Sequence, residues 1–170
     1  MANMDVNALK NNLGAPARDY LWEIIVPTPL GGGDVETYQL RAQSTEIPSR
    51  EQGAIPIQFK QTAGIMVPGK LSYTHTWACT FIEGEDKKVW DAIYGWQQLI
   101  VDNVSGTSVG DPGLKTDIIL TTLKTDGTIS MRIKLRGCYV KTIGPVKLSY
   151  QGEGIINYDV TFSFDSIETT

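Results

Sequence analysis

The sequence predicts a mainly β protein in which two packed antiparallel sheets are flanked by one α-helix. First, the 170 residues include 17 Ile, 17 Thr and 11 Val, which suit a pleated strand better than a helix. Second, apolar and polar residues alternate with a period of two along most of the chain, whereas one segment alone has helical spacing. Such a pattern is typical of an antiparallel sandwich or barrel.

The length of the chain indicates one domain, since domains commonly have about 100 to 200 residues. Residues 1–17 are polar and contain Gly14 and Pro16, so we expect a flexible N-terminal arm ahead of a single domain over residues 18–170. The hydrophobic fraction of 41% suffices for a core in a chain of this length. The net charge of −4 argues against a basic nucleic-acid binder.

Four alternating segments in the first half of the chain are separated by Pro and Gly residues and predict strands over 18–27, 36–47, 54–61 and 70–82. We expect the second and third of them to pair as a long hairpin, with Pro56 giving the third an edge position. The fourth is the longest alternation in the chain. Its predicted buried face contains His75 and Trp77, and its other face consists mainly of threonines.

The period changes after Glu83, where apolar residues are spaced four, three and four apart. This spacing predicts a helix over 86–101 that packs one face on a sheet. The residues of that face are Val89, Ile93, Trp96 and Ile100. The turn-forming residues 103–113 then predict a loop.

The second half of the chain predicts a hairpin and a closing strand. Strands over 117–124 and 128–143 flank Asp126 and Gly127, a pair that favours a type I′ turn with positive φ at both positions. A short strand over 146–150 and a final strand over 155–167 complete the expected sheets. The final strand is expected to bury Ile156, Tyr158, Val160, Phe162 and Phe164.

The residue types required for catalysis are scarce. His75 and Cys79 would be about 13 Å apart on an extended strand, too far for a base to activate a thiol. We therefore expect His75 to be a hydrogen-bonded core histidine, and Cys79 and Cys138 to be small core residues. One histidine and two cysteines provide no metal-ligand pattern. The sequence predicts no catalytic residues, no metal site and no cofactor.

Three other clusters have a functional and a structural interpretation. Gly31 to Gly33 follow a strand but open no helix, so they do not form a phosphate-binding loop. The acids Glu83, Glu85 and Asp86 suit a solvated helix start better than a metal cluster. The aromatic set Trp90, Tyr94 and Trp96 indicates core packing or a subunit contact rather than a ligand platform.

The bases Arg132, Lys134 and Arg136 alternate along one predicted strand and form a stripe that could bind phosphates. A solvated face, or ion pairs with acids such as Asp159 on another strand, agrees better with the acidic overall balance.

No apolar run approaches the ~20 residues of a membrane span, so we expect no membrane insertion. The first residues, MANMDVNALKNN, contain no apolar signal core, so we expect synthesis and folding in a reducing cytoplasm.

The order of the segments resembles that of the tail-tube proteins of contractile-tailed bacteriophages, which are related to tailocin and type VI secretion tube proteins. The resemblance covers about residues 18–168. It is carried by QSTEIPSR (43–50), GIMVPGK (64–70), YTHTWACTFI (73–82), KKVWDAIYGWQQLI (87–100), KLRGCYVKTIGP (134–145) and NYDVTFSFDSIE (157–168).

The resemblance implies a non-enzymatic structural subunit with the tail-tube fold, located in the tail of a virion. Hexameric rings of it would stack into a hollow conduit for DNA inside a contractile sheath. The implied partners are copies of itself, the sheath, tape-measure and baseplate proteins, and DNA in transient non-specific contact. Strands from six neighbours would join into one barrel, which would pair the exposed sheet edges.

Family tubes have an acidic or neutral lumen, whereas the predicted outward faces here include bases such as Arg41 and Lys60. These bases either pair with acids across strands or face neighbouring subunits. The alternative function is a β-sandwich binding module that recognises carbohydrate or peptide through its loops.

The segment 46–69 is predicted to form the contacts between stacked rings. Its prolines and glycines discourage a long regular strand, yet it has more apolar residues than a solvent-exposed loop requires. The alternative is an edge hairpin packed on its own core. The candidate stacking residues are Ile47, Pro48, Ile55, Ile57, Ile65, Met66, Val67 and Pro68.

Overall fold

A computed structural model describes residues 15–27, 41–58, 64–102, 104–108, 112–150 and 152–169. Three predicted features lie wholly or mostly outside these ranges: the N-terminal arm, the Gly31 to Gly33 turn, and the first part of the strand predicted over 36–47.

Within the described ranges the chain forms nine strands, one α-helix and one 3-10 helix (Pro112–Leu114). In chain order the strands and the α-helix are β1 (Trp22–Ile25), β2 (Ala42–Thr45), β3 (Arg50–Ile57), β4 (Ile65–Tyr73), β5 (Thr76–Ile82), α1 (Lys88–Ile100), β6 (Thr116–Leu123), β7 (Ile129–Ile143), β8 (Asn157–Ser163) and β9 (Ser166–Thr169).

Two antiparallel sheets share the long strand β7. The first sheet has the order β1, β6, β7, β9, and the second has the order β7, β8, β5, β2. The strand changes sheet at Gly137, whose φ of +65° is readily adopted by glycine. A side chain there would also collide with the Asp165 carboxylate. The predicted class is confirmed: mainly β, with two antiparallel sheets and one flanking helix.

The core lies between the inward faces of these sheets, which the alternation of the sequence predicts well. Its largest fully buried side chains include Trp77, Phe81, Phe162, Phe164, Ile24, Leu120 and Leu135. We call this packed unit, with α1, the body.

Helix α1 lies within the predicted range and packs its apolar face on the body. Val89, Ile93 and Trp96 are buried, and Ile100 is half-buried against the core. The Trp96 indole contacts the Phe162 ring at 6.0 Å between centroids and donates a hydrogen bond to the Leu114 carbonyl at 2.8 Å. A single helix face therefore joins the 3-10 helix to the second sheet.

Strands β3 and β4 form a separate two-stranded sheet. From here on we call this sheet the arm; it is distinct from the N-terminal arm predicted over residues 1–17. The predicted hairpin between the strands over 36–47 and 54–61 is wrong, because β2 pairs with β5 while β3 pairs with β4. Alternation gives the face of each residue but not the pairing partner of a strand. The strand predicted over 70–82 is also interrupted, since Thr74 and His75 separate β4 from β5.

The β6–β7 hairpin forms as predicted, but its turn is not type I′. Only Gly127 has a positive φ, +80°, and Asp126 does not. The amide of Lys124 donates to the Thr128 carbonyl at 2.8 Å, and that of Gly127 donates to the Lys124 carbonyl at 2.9 Å. This is a three-residue loop, in which a single left-handed glycine suffices.

The C-terminal region differs from the prediction in two places. Residues 146–150 form no strand, and the segment predicted as one final strand divides into β8 and β9 at Phe164 and Asp165. The break allows this chain to follow β7 from the second sheet to the first. Ile156, predicted to be buried, is 40% exposed because it precedes β8.

Candidate assembly surfaces

The arm has apolar side chains that remain exposed although its two strands pair with each other. Ile55 is paired with Val67 and Ile57 with Ile65, so alternation places these four aliphatic residues on one face. Ile65 is 65% exposed and Met66, on the opposite face, is 71% exposed. An isolated two-stranded sheet is marginally stable in water. No layer formed by the described residues therefore covers this apolar surface of the arm.

The structure brings most of the candidate stacking residues together on the arm. Ile55, Ile57, Ile65 and Val67 share one face, and Pro56 lies opposite Met66. Pro68 lies opposite Ala54 near the bulge of β3, while Ile47 and Pro48 lie before β3 at the base of the arm. Contact between these residues and a neighbouring ring remains a prediction.

A second exposed apolar surface lies in the irregular connection between β7 and β8. Leu148 is 79% exposed and Ile155 is 71% exposed, and Tyr150 is fully exposed. This surface was not predicted, because the sequence of residues 146–150 indicates a strand. The connection lies at the Ile82 end of β5, whereas the arm leaves from the Thr76 end.

Two of the three bases in the β7 stripe, Lys134 and Arg136, form ion pairs on the outer face of the first sheet. Lys134 contacts Asp117 at 3.0 Å, and Arg136 contacts Glu168 at 2.7 Å. The hydrogen bond from Lys134 holds the pKa of Asp117 below its usual range. The acids lie on β6 and β9, while Asp159, the acid suggested by the sequence, accepts a hydrogen bond from Thr80.

The acidic segment before α1 stabilises the start of the helix. The Glu83 carboxylate accepts hydrogen bonds from the backbone amides of Val89 at 3.3 Å and Trp90 at 2.6 Å. Arg41 contacts Glu83 at 3.3 Å and Asp86 at 2.7 Å, and this guanidinium lowers the pKa of Asp86. The cap could not be predicted from the sequence pattern, because Glu83 lies outside the usual N-cap position.

The aromatic residues of α1 pack partly against the body. Trp90 and Tyr94 stack at 5.1 Å between ring centroids, and Trp90 also contacts the Tyr158 ring at 5.3 Å. Both side chains of the stack are half-buried. The stack is therefore part of the packing between α1 and β8.

His75 is not the core residue that the sequence predicts. It is exposed and lies in the two-residue connection between the arm and β5, with a φ of +52°. Its Nδ1 donates a hydrogen bond to the Phe164 carbonyl at 3.1 Å. The chain changes direction here, which ends the alternation that placed His75 on the buried face.

The two cysteines are buried in the core. Burial raises the pKa of Cys79 and that of Cys138 to about 12, so both thiols are protonated near neutral pH. Among the described residues, no three His, Cys, Asp or Glu side chains are placed to hold a metal ion. The described residues also include no helix of sufficient length and apolar character to span a membrane.

The fold matches that of proteins from contractile injection machines. No protein-family model matches the sequence, and neither does any curated protein. A chain of the PVC extracellular contractile injection system in its extended sheath–tube complex is similar, with a TM-score of 0.67 and 13% identity over 99% of both chains. A chain of the anti-feeding prophage tube-terminating cap has a TM-score of 0.67 and 15% identity over 91% of both chains.

A chain of the PVC sheath/tube terminator is also similar, with a TM-score of 0.67 and 13% identity over 93% of this chain and 99% of that chain. The resemblance to tail-tube proteins, first indicated by the order of sequence segments, is thus confirmed as a fold.

Proposed function

We propose that this chain is a non-enzymatic structural subunit of the tube in a contractile tail or injection machine. Six copies close into a ring, and rings stack into a hollow conduit inside a sheath. The observation that carries the proposal is the exposed apolar arm on a body that has this fold. Ile65 and Met66 are 65% and 71% exposed. An exposed patch of apolar side chains marks an interaction surface in a soluble protein.

Stacking of rings is the role of the arm in this proposal. The four aliphatic residues Ile55, Ile57, Ile65 and Val67 share a face that another subunit would cover. Covering such a face removes apolar area from water, at about 25 cal/mol per Å². Contact with a neighbouring subunit, rather than with its own body, would then order and stabilise the arm.

Ring closure is supported by the edges of the two sheets. Among the described residues, β1 pairs only with β6, and β2 pairs only with β5, so each has one unpaired edge. Unpaired edges promote association unless they are covered. Edge pairing between neighbours in a closed ring removes them without forming an open aggregate.

The partners follow from this role. A tube of this kind contacts its sheath, ends at a baseplate and encloses a tape-measure protein during assembly. The cargo is DNA when the particle is a virion, and the ion pairs that engage Lys134 and Arg136 would limit the binding of phosphates to the first sheet. The proposed location is the tail of the particle, after synthesis in the host cytoplasm.

The test is electron microscopy of the purified, concentrated chain in negative stain. We expect rings with sixfold symmetry and tubes of stacked rings, and the sedimentation rate should increase with protein concentration. Monodisperse single subunits at all concentrations would contradict the proposal and favour a β-sandwich binding module.

A further inference from the structure

The arm is connected to the body at a narrow base. Strand β4 ends at Tyr73 and β5 begins at Thr76, so only Thr74 and His75 join an exposed sheet to a central strand of the core. The other connection, residues 46–49, leads from β2 into β3. The direction of the arm therefore depends on few residues.

The backbone of His75 adopts a conformation that is unusual for its residue type. Its φ is +52°, and within the described ranges Lys87 is the other non-glycine residue with a positive φ. Left-handed backbone is unfavourable for residues with a side chain, although His tolerates it better than most. Such conformations persist where the surrounding structure holds them, and they often mark a functional element.

Three hydrogen bonds hold His75 to the end of β8. The His75 carbonyl accepts from the Phe164 amide at 3.2 Å and from the Ser163 hydroxyl at 3.1 Å. In the opposite direction, its Nδ1 donates to the Phe164 carbonyl at 3.1 Å. His75 therefore binds both backbone polar groups of one residue, which fixes the connection against rotation.

Aromatic contacts continue this attachment from the arm into the core. The Tyr73 and His75 rings meet edge-on with 5.9 Å between their centroids, and the centroids of the His75 and Phe164 rings are 6.0 Å apart. Phe164 is 1% exposed, so its position is set by the core. At the other connection, the buried Trp77 indole donates to the Glu46 carbonyl at 2.8 Å.

We propose that His75 is a positioning residue that fixes the direction of the arm relative to the body. His75 contacts Tyr73, the last residue of the arm, on one side and Phe164 of the core on the other. We call the three hydrogen bonds and two ring contacts of His75 the clasp. An arm held in one direction loses less conformational entropy when it docks on another subunit. This consequence for assembly rests on the proposed function, whereas the orientation itself does not.

The direct test measures the distance between the arm and the body with two spin labels. Gln58→Cys near the end of β3 and Thr125→Cys in the β6–β7 turn provide exposed sites, while the native cysteines are buried. At concentrations where single subunits predominate, the parent should give one narrow distance distribution. His75→Gly should broaden it, because glycine permits the turn and keeps the backbone carbonyl but loses the Nδ1 hydrogen bond to Phe164 and both ring contacts.

Two further variants separate positioning from general stability. His75→Asn should keep the distribution narrow, since asparagine tolerates left-handed backbone and its amide is a donor. Lys87→Gly alters the other left-handed residue, which lies at the start of α1 away from the arm, and should leave the distance unchanged. A narrow distribution for His75→Gly, or a broad one for the parent, would overturn the proposal.

Assembly provides the functional readout. His75→Gly should raise the protein concentration needed for tubes about tenfold, equivalent to ~1.4 kcal/mol, whereas Lys87→Gly should not. Normal assembly of His75→Gly despite a broad distance distribution would refute the role in assembly. If the parent itself formed no tubes, the proposed function would fail, and the distance measurement would still decide whether the clasp exists.

Discussion

The body and the arm use apolar residues in opposite ways. In the body, Trp77 and Phe162 are completely buried and lie on neighbouring strands. In the arm, Ile65 and Met66 are 65% and 71% exposed, although they lie in a strand of nine residues. The body therefore buries its large apolar side chains in its own interior, whereas the arm exposes them.

Strand pairing shows the same contrast. Strand β5 has partners on both sides, β2 and β8, whereas within the described part of the chain β3 and β4 pair only with each other. A two-stranded sheet outside a core contributes little to the folding of the rest of the molecule. Substitutions in the body should therefore change the free energy of unfolding, and substitutions on the arm should change assembly.

The largest loss of stability is expected from Trp96→Ala in α1. The side chain is completely buried, contacts Phe162 and donates a hydrogen bond to the Leu114 carbonyl. Its removal should lower the free energy of unfolding by about 3 to 5 kcal/mol, measured by urea denaturation. Trp96→Phe retains most of the apolar volume and should cost less. A parent-like value for Trp96→Ala would mean that α1 is not part of the body.

A smaller loss is expected from Glu83→Ala. This change removes the acceptor of the Val89 and Trp90 amides and leaves the start of α1 uncapped. We expect a loss of about 1 to 2 kcal/mol, as for other helix caps. Glu85→Ala, at an exposed position two residues later, is the control and should be nearly neutral. Equal effects of the two variants in thermal unfolding would exclude a specific cap.

The next effect is the pH dependence of stability at Asp117. Because Lys134 lowers the pKa of this carboxyl in the folded state, its contribution is present above the usual aspartate pKa and is lost as the pH falls through the folded value. Asp117→Asn should thus destabilise the protein at neutral pH, by less than ~1 kcal/mol for an exposed pair, and converge with the parent in acid. Urea denaturation from about pH 7 to about pH 2 measures this, because the contribution is lost only below the usual aspartate pKa of about 3.9. A constant difference across that range would refute the ion pair's contribution.

The sequence predicts the elements of the body well because their faces are fixed by local alternation. Strands β6 and β7 and helix α1 lie close to the predicted ranges, since each contains a clear period of two or of three to four residues. The pairing of β2 with β5, and of β3 with β4, was not predictable in this way. Pairing depends on contacts between distant segments, and alternation is the same for every possible partner.

The candidate surfaces show the same limit. The apolar residues of the arm stand out because segment 46–69 contains more of them than a solvent-exposed loop requires. The roles of His75 and Glu83 could not be predicted, because they depend on where the chain folds back. His75 meets Phe164, which lies 89 residues further along the chain. In the sequence His75 continues the alternation of β5, so the pattern placed it in the core.

The smallest change in stability, and the most informative one, is expected on the arm. Replacing Ile65, Met66 and Val67 together with Ser removes exposed apolar side chains, and exposed substitutions usually change stability by no more than about 0.5 kcal/mol. The matched control combines Gln58→Ser, just beyond β3, with Ser72→Ala in β4, two exposed positions at which little apolar surface is lost. Circular dichroism and urea denaturation should give similar results for both variants and the parent.

The most direct test of the account is the length of tubes formed by these proteins at equal concentration, measured by electron microscopy. We expect long tubes for the parent and the control, and single rings or dispersed subunits for the folded Ile65, Met66 and Val67 variant. Tubes of parental length from that variant would contradict a stacking role for the arm. Loss of its fold would equally contradict the account, because the arm would then belong to the core of its own subunit.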